Sequence, residues 1–147
     1  MGSTSHKLTI NTFSFEEIKI GDTYSFERMI DAQLMESFAR ISGDYNPIHM
    51  DAAFAAKTQF GGRIVHGMLM ASFFSSLVGM LCPGLHCLYL SQEVRFKKPV
   101  LLNTKVRIQG TVIGKSEATR IIVLKTVITA NEGIIVVEGE ARVTVLL

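Results

Sequence analysis

Charge is what this chain has least of. Asp, Glu, Lys and Arg make up 19% of its 147 residues against 48% hydrophobic, and from Ala52 to Gln92 there is no acidic residue at all. The net charge is only +2 and no basic run exceeds Lys97-Lys98, which excludes the electrostatic footprint of a nucleic-acid binder. Cysteine is scarce too. Cys82 and Cys87 enclose Pro-Gly-Leu-His, a spacing that is neither CxxC nor a zinc pattern, so free thiols in a reducing compartment such as the cytoplasm are expected rather than a disulfide. Long apolar runs are missing as well. The longest stretch, Met68 to Cys82, is interrupted by Ser72, Ser75, Ser76 and Gly79 and falls short of the roughly 20 apolar residues of a membrane span. No membrane partner is expected.

What remains is a chain of one-domain length, since single cores close at about 100 to 150 residues. Its apolar surplus exceeds what one core needs, so a homodimer or a dimer of dimers is the expectation. The start Met1-Gly-Ser-Thr-Ser-His6 has His where a myristoylation signal needs Ser or Thr. Residues 1–12 read as a flexible tail, and the domain as 13–147. The first fourteen residues are Ser/Thr-rich without acids, which leaves targeting to an organelle matrix as the alternative to the cytoplasm.

Asp31 is placed to cap a helix whose apolar residues Leu34, Met35, Phe38 and Ile41 recur at helical spacing, with Gly43 as its stop. Pro47 disfavours helical geometry at Asn46, so Asp44 to His49 reads as irregular, and Asp51 can cap a short helix through Lys57. Met68 to Cys82 suits a helix buried on nearly all sides, ended by Pro83-Gly84. Then the period changes to two. Four strands are expected, Leu88–Phe96, Lys105–Ile113, Arg120–Thr129 and Ile134–Val145, forming an antiparallel meander with a hairpin turn at Asn131-Glu-Gly133. A long apolar helix followed by such strands implies an α+β domain in which a curved antiparallel sheet wraps the helix, the hot-dog arrangement.

The polar exception lies in the segment 38–51. Asp44 and His49 flank Asn46 and Pro47, and a carboxylate whose pKa is raised by burial, beside an imidazole, makes an acid/base pair near neutral pH. Taken singly, Asp44 is a turn residue and His49 a satisfied histidine; the joint spacing with a downstream His66-Gly67 helix start favours chemistry. His66 itself reads as structural, packed or hydrogen-bonded at the helix entrance.

Phe38-Ala-Arg-Ile-Ser-Gly-Asp-Tyr-Asn-Pro-Ile-His49, then Phe54-Ala and Ile64-Val-His-Gly-Met-Leu69, resembles the hydratase 2 motif of MaoC-like (R)-specific enoyl-CoA hydratases, most closely the short PhaJ type. Ala71-Ser72, Pro83-Gly84, Tyr89-Leu90 and Phe96-Lys-Lys-Pro-Val100 extend the similarity over about residues 13–147. The resemblance implies that Asp44 and His49 are catalytic, that Asn46 positions the water or the pair, that the Gly67 amide donates to the thioester oxygen, and that Ser75 supports the site. It implies syn hydration of a trans-2-enoyl-CoA to the (R)-3-hydroxyacyl thioester. No cofactor is expected, because coenzyme A enters as part of the substrate.

The residues suit that reaction. Water must be made nucleophilic and negative charge on the thioester oxygen must be met, and an amide at the start of a helix lacks an intrahelical partner where the dipole favours anions. Rival readings are a 3-hydroxyacyl-ACP dehydratase, which shares the chemistry on another carrier, a hot-dog thioesterase, and a non-catalytic acyl-CoA binder. Many hot-dog thioesterases carry an acid on the central helix, which this helix lacks. No metal is expected, since an EF-hand starting at Asp44 would need Gly at His49 and Glu at Ala55, and a zinc site would need a ligand from outside the loop. Arg63, Arg95, Lys97, Lys98 and Arg120 are candidates for the coenzyme A phosphates, none of them assigned.

Overall fold

Alternation writes the sheet. Val106, Ile108 and Val112 on one strand, and Ile122, Leu124 and Ile128 on the next, are buried at every second position, as a half-buried strand requires. The computed structural model describes residues 7–146 and orders them as β1 (Thr23–Ile30), α1 (Ala32–Ser42), α2 (Pro47–Met50), α3 (Ala52–Ala56), α4 (Gly67–Ser76), β2 (Cys87–Phe96), β3 (Thr104–Ser116), β4 (Ile121–Ala130) and β5 (Ile134–Val145). α4 continues directly into a π-helical turn, Leu77–Leu81. The five strands form one antiparallel sheet in the order β1-β3-β4-β5-β2.

Two expectations change here. The meander holds only for β3, β4 and β5, because β2 crosses to the far side and pairs with β5 instead of β3. The opposite edge is β1, a strand that pattern reading does not reveal: Thr23 to Ile30 shows no alternation of burial. The hairpin at Asn131-Glu-Gly133 is as expected, all three residues having positive φ.

One row across the sheet holds two glycines. Gly110, Thr126, Gly139 and Val94 are consecutive register partners across β3, β4, β5 and β2. A Cβ on Gly110 would come within 2.8 Å of Leu77 Cδ2, so this row admits the helix closely. Leu69, Met70, Phe73, Phe74 and Leu77 pack there against Val106, Ile108, Ile128 and Val137. Around the π-helical turn a second cluster gathers Val78 and Cys82 with Phe15, Ile18, Leu124 and Val143. Of the tail expected at 1–12, residues 1–6 lie outside the described residues, while Asn11 is tied to Met80 O at 2.8 Å and Thr12 bridges Gly84.

α1 begins where expected. Asp31 Oδ1 accepts from Leu34 N at 2.9 Å, and Gly43, left-handed at φ 80°, closes the helix by donating to Ala39 O. Met35 and Ala39 face the core, but Ile41 is 86% exposed and takes no part in it. Among the described residues no helix is long and apolar enough to cross a membrane.

Candidate active site

The turn that ends α1 also places Asp44. Its amide donates to Ser42 Oγ at 3.1 Å, and its Oδ1 accepts from Asn46 N at 3.1 Å, an Asx turn that leaves Oδ2 available. Asn46 Oδ1 then caps α2 by accepting from Ile48 N at 3.1 Å, with Pro47 at the first helical position. Of the segment expected to be irregular, residues 44–46 are non-helical, and from Pro47 it becomes one ordered turn of helix. It carries His49.

His49 Nδ1 lies 2.8 Å from the carbonyl oxygen of Ile64. A carbonyl only accepts, so Nδ1 carries the proton and Nε2 of the neutral ring keeps its lone pair. That nitrogen stands 3.9 Å from Asp44 Oδ2. Arg63 Nε donates to the His49 carbonyl and secures the backbone from below. The His49 side chain is 14% exposed and that of Asp44 is 49% exposed; the burial expected for Asp44 is absent from the single chain.

His66 brings a third group to the pair. It is 2% exposed, its Nε2 donates to Asp44 O at 3.0 Å, and its ring stacks on His49 with centroids 4.0 Å apart and planes 26° apart. Phe38 meets the ring edge-on at 5.0 Å. Burial pushes the His66 pKa down from its ordinary value, and the neighbouring His49 adds to this against the hydrogen bond to Asp44. Sequence reasoning placed His66 as packed or bonded at the helix entrance, and it is both. Its two links to Asp44 and His49 are long-range and leave no pattern in the sequence.

Gly67 opens α4, and among the described residues no acceptor meets its amide, one of the orphan donors of a helix start. Glycine leaves room here for a neighbouring ring. A Cβ would lie 2.9 Å from Phe96 Cε1, so the ring of Phe96 occupies that space. Asp44, His49, His66, Gly67, Phe96 and Lys98 line one cleft of about 430 Å³. Asn46 is not among its walls; it links Asp44 to the helix that carries His49. Ser75 is exposed on α4 and also lies outside this cleft. A larger groove of about 750 Å³, between β1, α1 and α4, holds none of the pair.

Ligand atoms of Asp44, His49 and His66 lie within 4.8 Å of one another, close enough to suggest a cation. The two rings face each other rather than converging on a point, and each commits one nitrogen to a backbone carbonyl. The arrangement suits proton exchange with a water better than metal ligation.

A hot-dog fold, one antiparallel sheet packed on a central helix, defines the class. The family model for the MaoC like domain matches residues 15–133, and the chain belongs to that family. It is 39% identical over 130 residues to the (R)-specific enoyl-CoA hydratase of Aeromonas caviae, covering 88% of this chain and 97% of that protein. It is 30% identical to a mitochondrial 3-hydroxyacyl-[acyl-carrier-protein] dehydratase of Arabidopsis thaliana, over 84% of this chain and 75% of that one. The solved structure of the A. caviae (R)-hydratase superposes with a TM-score of 0.87 at 38% identity, covering 88% of this chain and 98% of that chain. An R-hydratase of Pseudomonas aeruginosa in unliganded form gives 0.89 at 33% identity, over 92% of this chain and 87% of that chain. These relatives make the chain an enzyme of the hydro-lyase class.

Proposed function

We propose that the protein hydrates trans-2-enoyl-CoA to (R)-3-hydroxyacyl-CoA, reversibly. The observation that carries this is the pair of bases, Asp44 Oδ2 and His49 Nε2, 3.9 Å apart in the cleft that also holds the Gly67 amide. A water between them donates one hydrogen to each and turns an oxygen lone pair to the β carbon. As that oxygen bonds, one base takes a proton and the π electrons move to the thioester oxygen, where the Gly67 amide meets the charge. A proton from the pair then reaches the α carbon on the same face, so the elements of water are added and the pair returns to its starting state. Because the two groups share one water, acid and base belong to the pair rather than to either residue.

The (R) outcome is supported by two relatives at 39% and 37% identity that are named (R)-specific. The dehydratase relative supports a second reading, the same chemistry in reverse on an acyl carrier protein. We also propose a homodimer. β2 ends the sheet with an unpaired edge, Leu88 and Leu90 are 46% and 47% exposed, and Met68 on α4 is 62% exposed, so a second copy laid there covers apolar surface and shields the site. Two free thiols, one buried and one half-buried, fit a reducing compartment such as the cytoplasm.

The test is hydration of C4 to C12 enoyl-CoA, followed at the loss of thioester conjugation, with chiral analysis of the product and the matched acyl carrier protein substrates alongside. (R)-3-hydroxyacyl-CoA from free CoA thioesters supports the reading. Turnover of carrier-protein substrates alone moves it to the dehydratase, and release of free thiol without hydration ends it.

A further inference from the structure

We propose that His66, outside the acid/base pair, is the positioning residue that fixes Asp44, His49 and the Gly67 amide relative to one another. The inference rests on the hydration reading and deepens it.

Three contacts converge on this one residue. Its Nε2–H holds the Asp44 carbonyl at 3.0 Å across 22 residues of sequence. Its face supports His49 at 4.0 Å. Its own backbone is the N-cap of α4, with its carbonyl accepting from Leu69 N at 3.1 Å and Met70 N at 3.3 Å, so the next peptide is the Gly67 amide. A shift of His66 moves all three groups together.

The choice of residue also argues against mere packing. Ser, Thr, Asp or Asn would cap α4, and the His66 side chain makes no capping bond. A Phe or Leu would fill the space without leaving a polar atom stranded, whereas Nδ1 of His66 is buried with no hydrogen-bond partner among the described residues. An imidazole here gives up both advantages and gains the bond to Asp44. Neutrality serves the same end. When His49 takes a proton its partner in the stack must not repel it, and the charged groups around His66 are His49, Asp44 and Arg63.

The experiment compares His66→Gln, which retains an N–H donor near the Nε2 position, with His66→Phe, which keeps an aromatic ring and loses the donor. Folding is checked by circular dichroism, and kcat and KM are measured on crotonyl-CoA. His66→Phe is expected to lower kcat on the order of 10- to 100-fold with KM nearly unchanged, as small displacements of reacting groups do. His66→Gln restores most of kcat, and His66→Phe in an Asp44→Asn background loses nothing further. Near-wild-type kcat in His66→Phe overturns the proposal, as does His66→Gln being as impaired as His66→Phe. Ring-nitrogen NMR of the unaltered protein provides an arm independent of turnover. A neutral Nε2–H tautomer at His66 is expected, and an Nδ1–H tautomer overturns the proposal whatever the activity. If the unaltered protein hydrates no enoyl thioester, the hydration reading falls and His66 has no role in it; the ring spectra still report whether His66 is pinned to Asp44.

Discussion

Asp44 Oδ2 and His49 Nε2 face each other across 3.9 Å, too far for a direct hydrogen bond and close enough for one bridging water. Each arrives with its other polar atom committed, Oδ1 to Asn46 N and Nδ1 to Ile64 O. With the His49 ring neutral both free atoms are acceptors, so a water held between them is polarised at both hydrogens. Asp44→Asn replaces an acceptor with a group that can donate, and His49→Gln removes the titrating ring. Each is expected to lower kcat about 10²- to 10⁴-fold while leaving thermal unfolding within a few degrees, and the double variant should be hardly worse than either alone. Stopped-flow hydration of crotonyl-CoA decides it. Retention of more than a tenth of the wild-type rate in either variant would exclude the shared water.

Gly67 and Phe96 are coupled by space. An added Cβ would sit 2.9 Å from Phe96 Cε1, and the contact is with a side chain that can turn aside. Gly67→Ala should therefore fold, losing about 1 to 3 kcal/mol to overpacking, while kcat/KM falls because the displaced ring forms a wall of the cleft. Phe96→Leu in the same chain should recover stability beyond the sum of the two single changes. Additive melting temperatures would refute the coupling.

Much of this was legible in the sequence. The Asp31 cap, the Gly43 stop, the Asp51 cap and the strand from Ile134 to Val145 all stand where local chemistry puts them. The proximity of Asp44 and His49 was legible too, being local. What pattern could not give is long-range. β2 choosing β5 over β3, and His66 reaching back to Asp44, depend on the sheet closing around α4. β1 was hidden because Thr23 to Ile30 buries no regular face. The π-helical turn was hidden because Leu77 to Leu81 reads as one more turn of apolar helix.

Burial of His66 links stability to pH. Its pKa in the fold is pushed below the ordinary 6.5, so as pH falls the unfolded chain takes up that proton first and unfolding is favoured. Stability should decline as pH drops below about 6.5, level off once the folded value is passed, and owe nothing to this group at higher pH. The carboxyls of Glu16 and Glu27, held down chiefly by hydrogen bonds from Arg120 and Lys105, act only below their ordinary 4.5, in a separate window. Urea midpoints measured from about pH 5 to 8 should show the slope, and His66→Gln should flatten it. An unchanged slope in that variant would assign the effect elsewhere.

Glycines of this chain differ sharply in what they tolerate. A Cβ at Gly139 would run into the Glu93 carbonyl, and backbone cannot turn aside without breaking the pairing of β2 with β5. Gly139→Ala is expected to destabilise by on the order of 3 to 5 kcal/mol, or to prevent soluble expression. Gly62→Ala is the control, since its Cβ would meet only Leu101 Cδ2 at an ordinary 3.7 Å. That change should stay within about 0.5 kcal/mol. Equal melting temperatures for the two variants would contradict the close approach at Gly139.

The open edge of β2 makes a prediction about assembly. Strand order ends at β2, Leu90 is 47% exposed, and Asp44 is half exposed in the isolated chain. If a second copy pairs along this edge, a lysine there acts as edge strands commonly do to block pairing. Leu90→Lys should shift the protein to monomer by sedimentation velocity and lower its specific activity, with both recovering as protein concentration rises. A variant that stays dimeric and fully active would place the subunit contact on another face. One that becomes monomeric with unchanged activity would show that each chain completes its own site, and that the exposure of Asp44 is no obstacle to its chemistry.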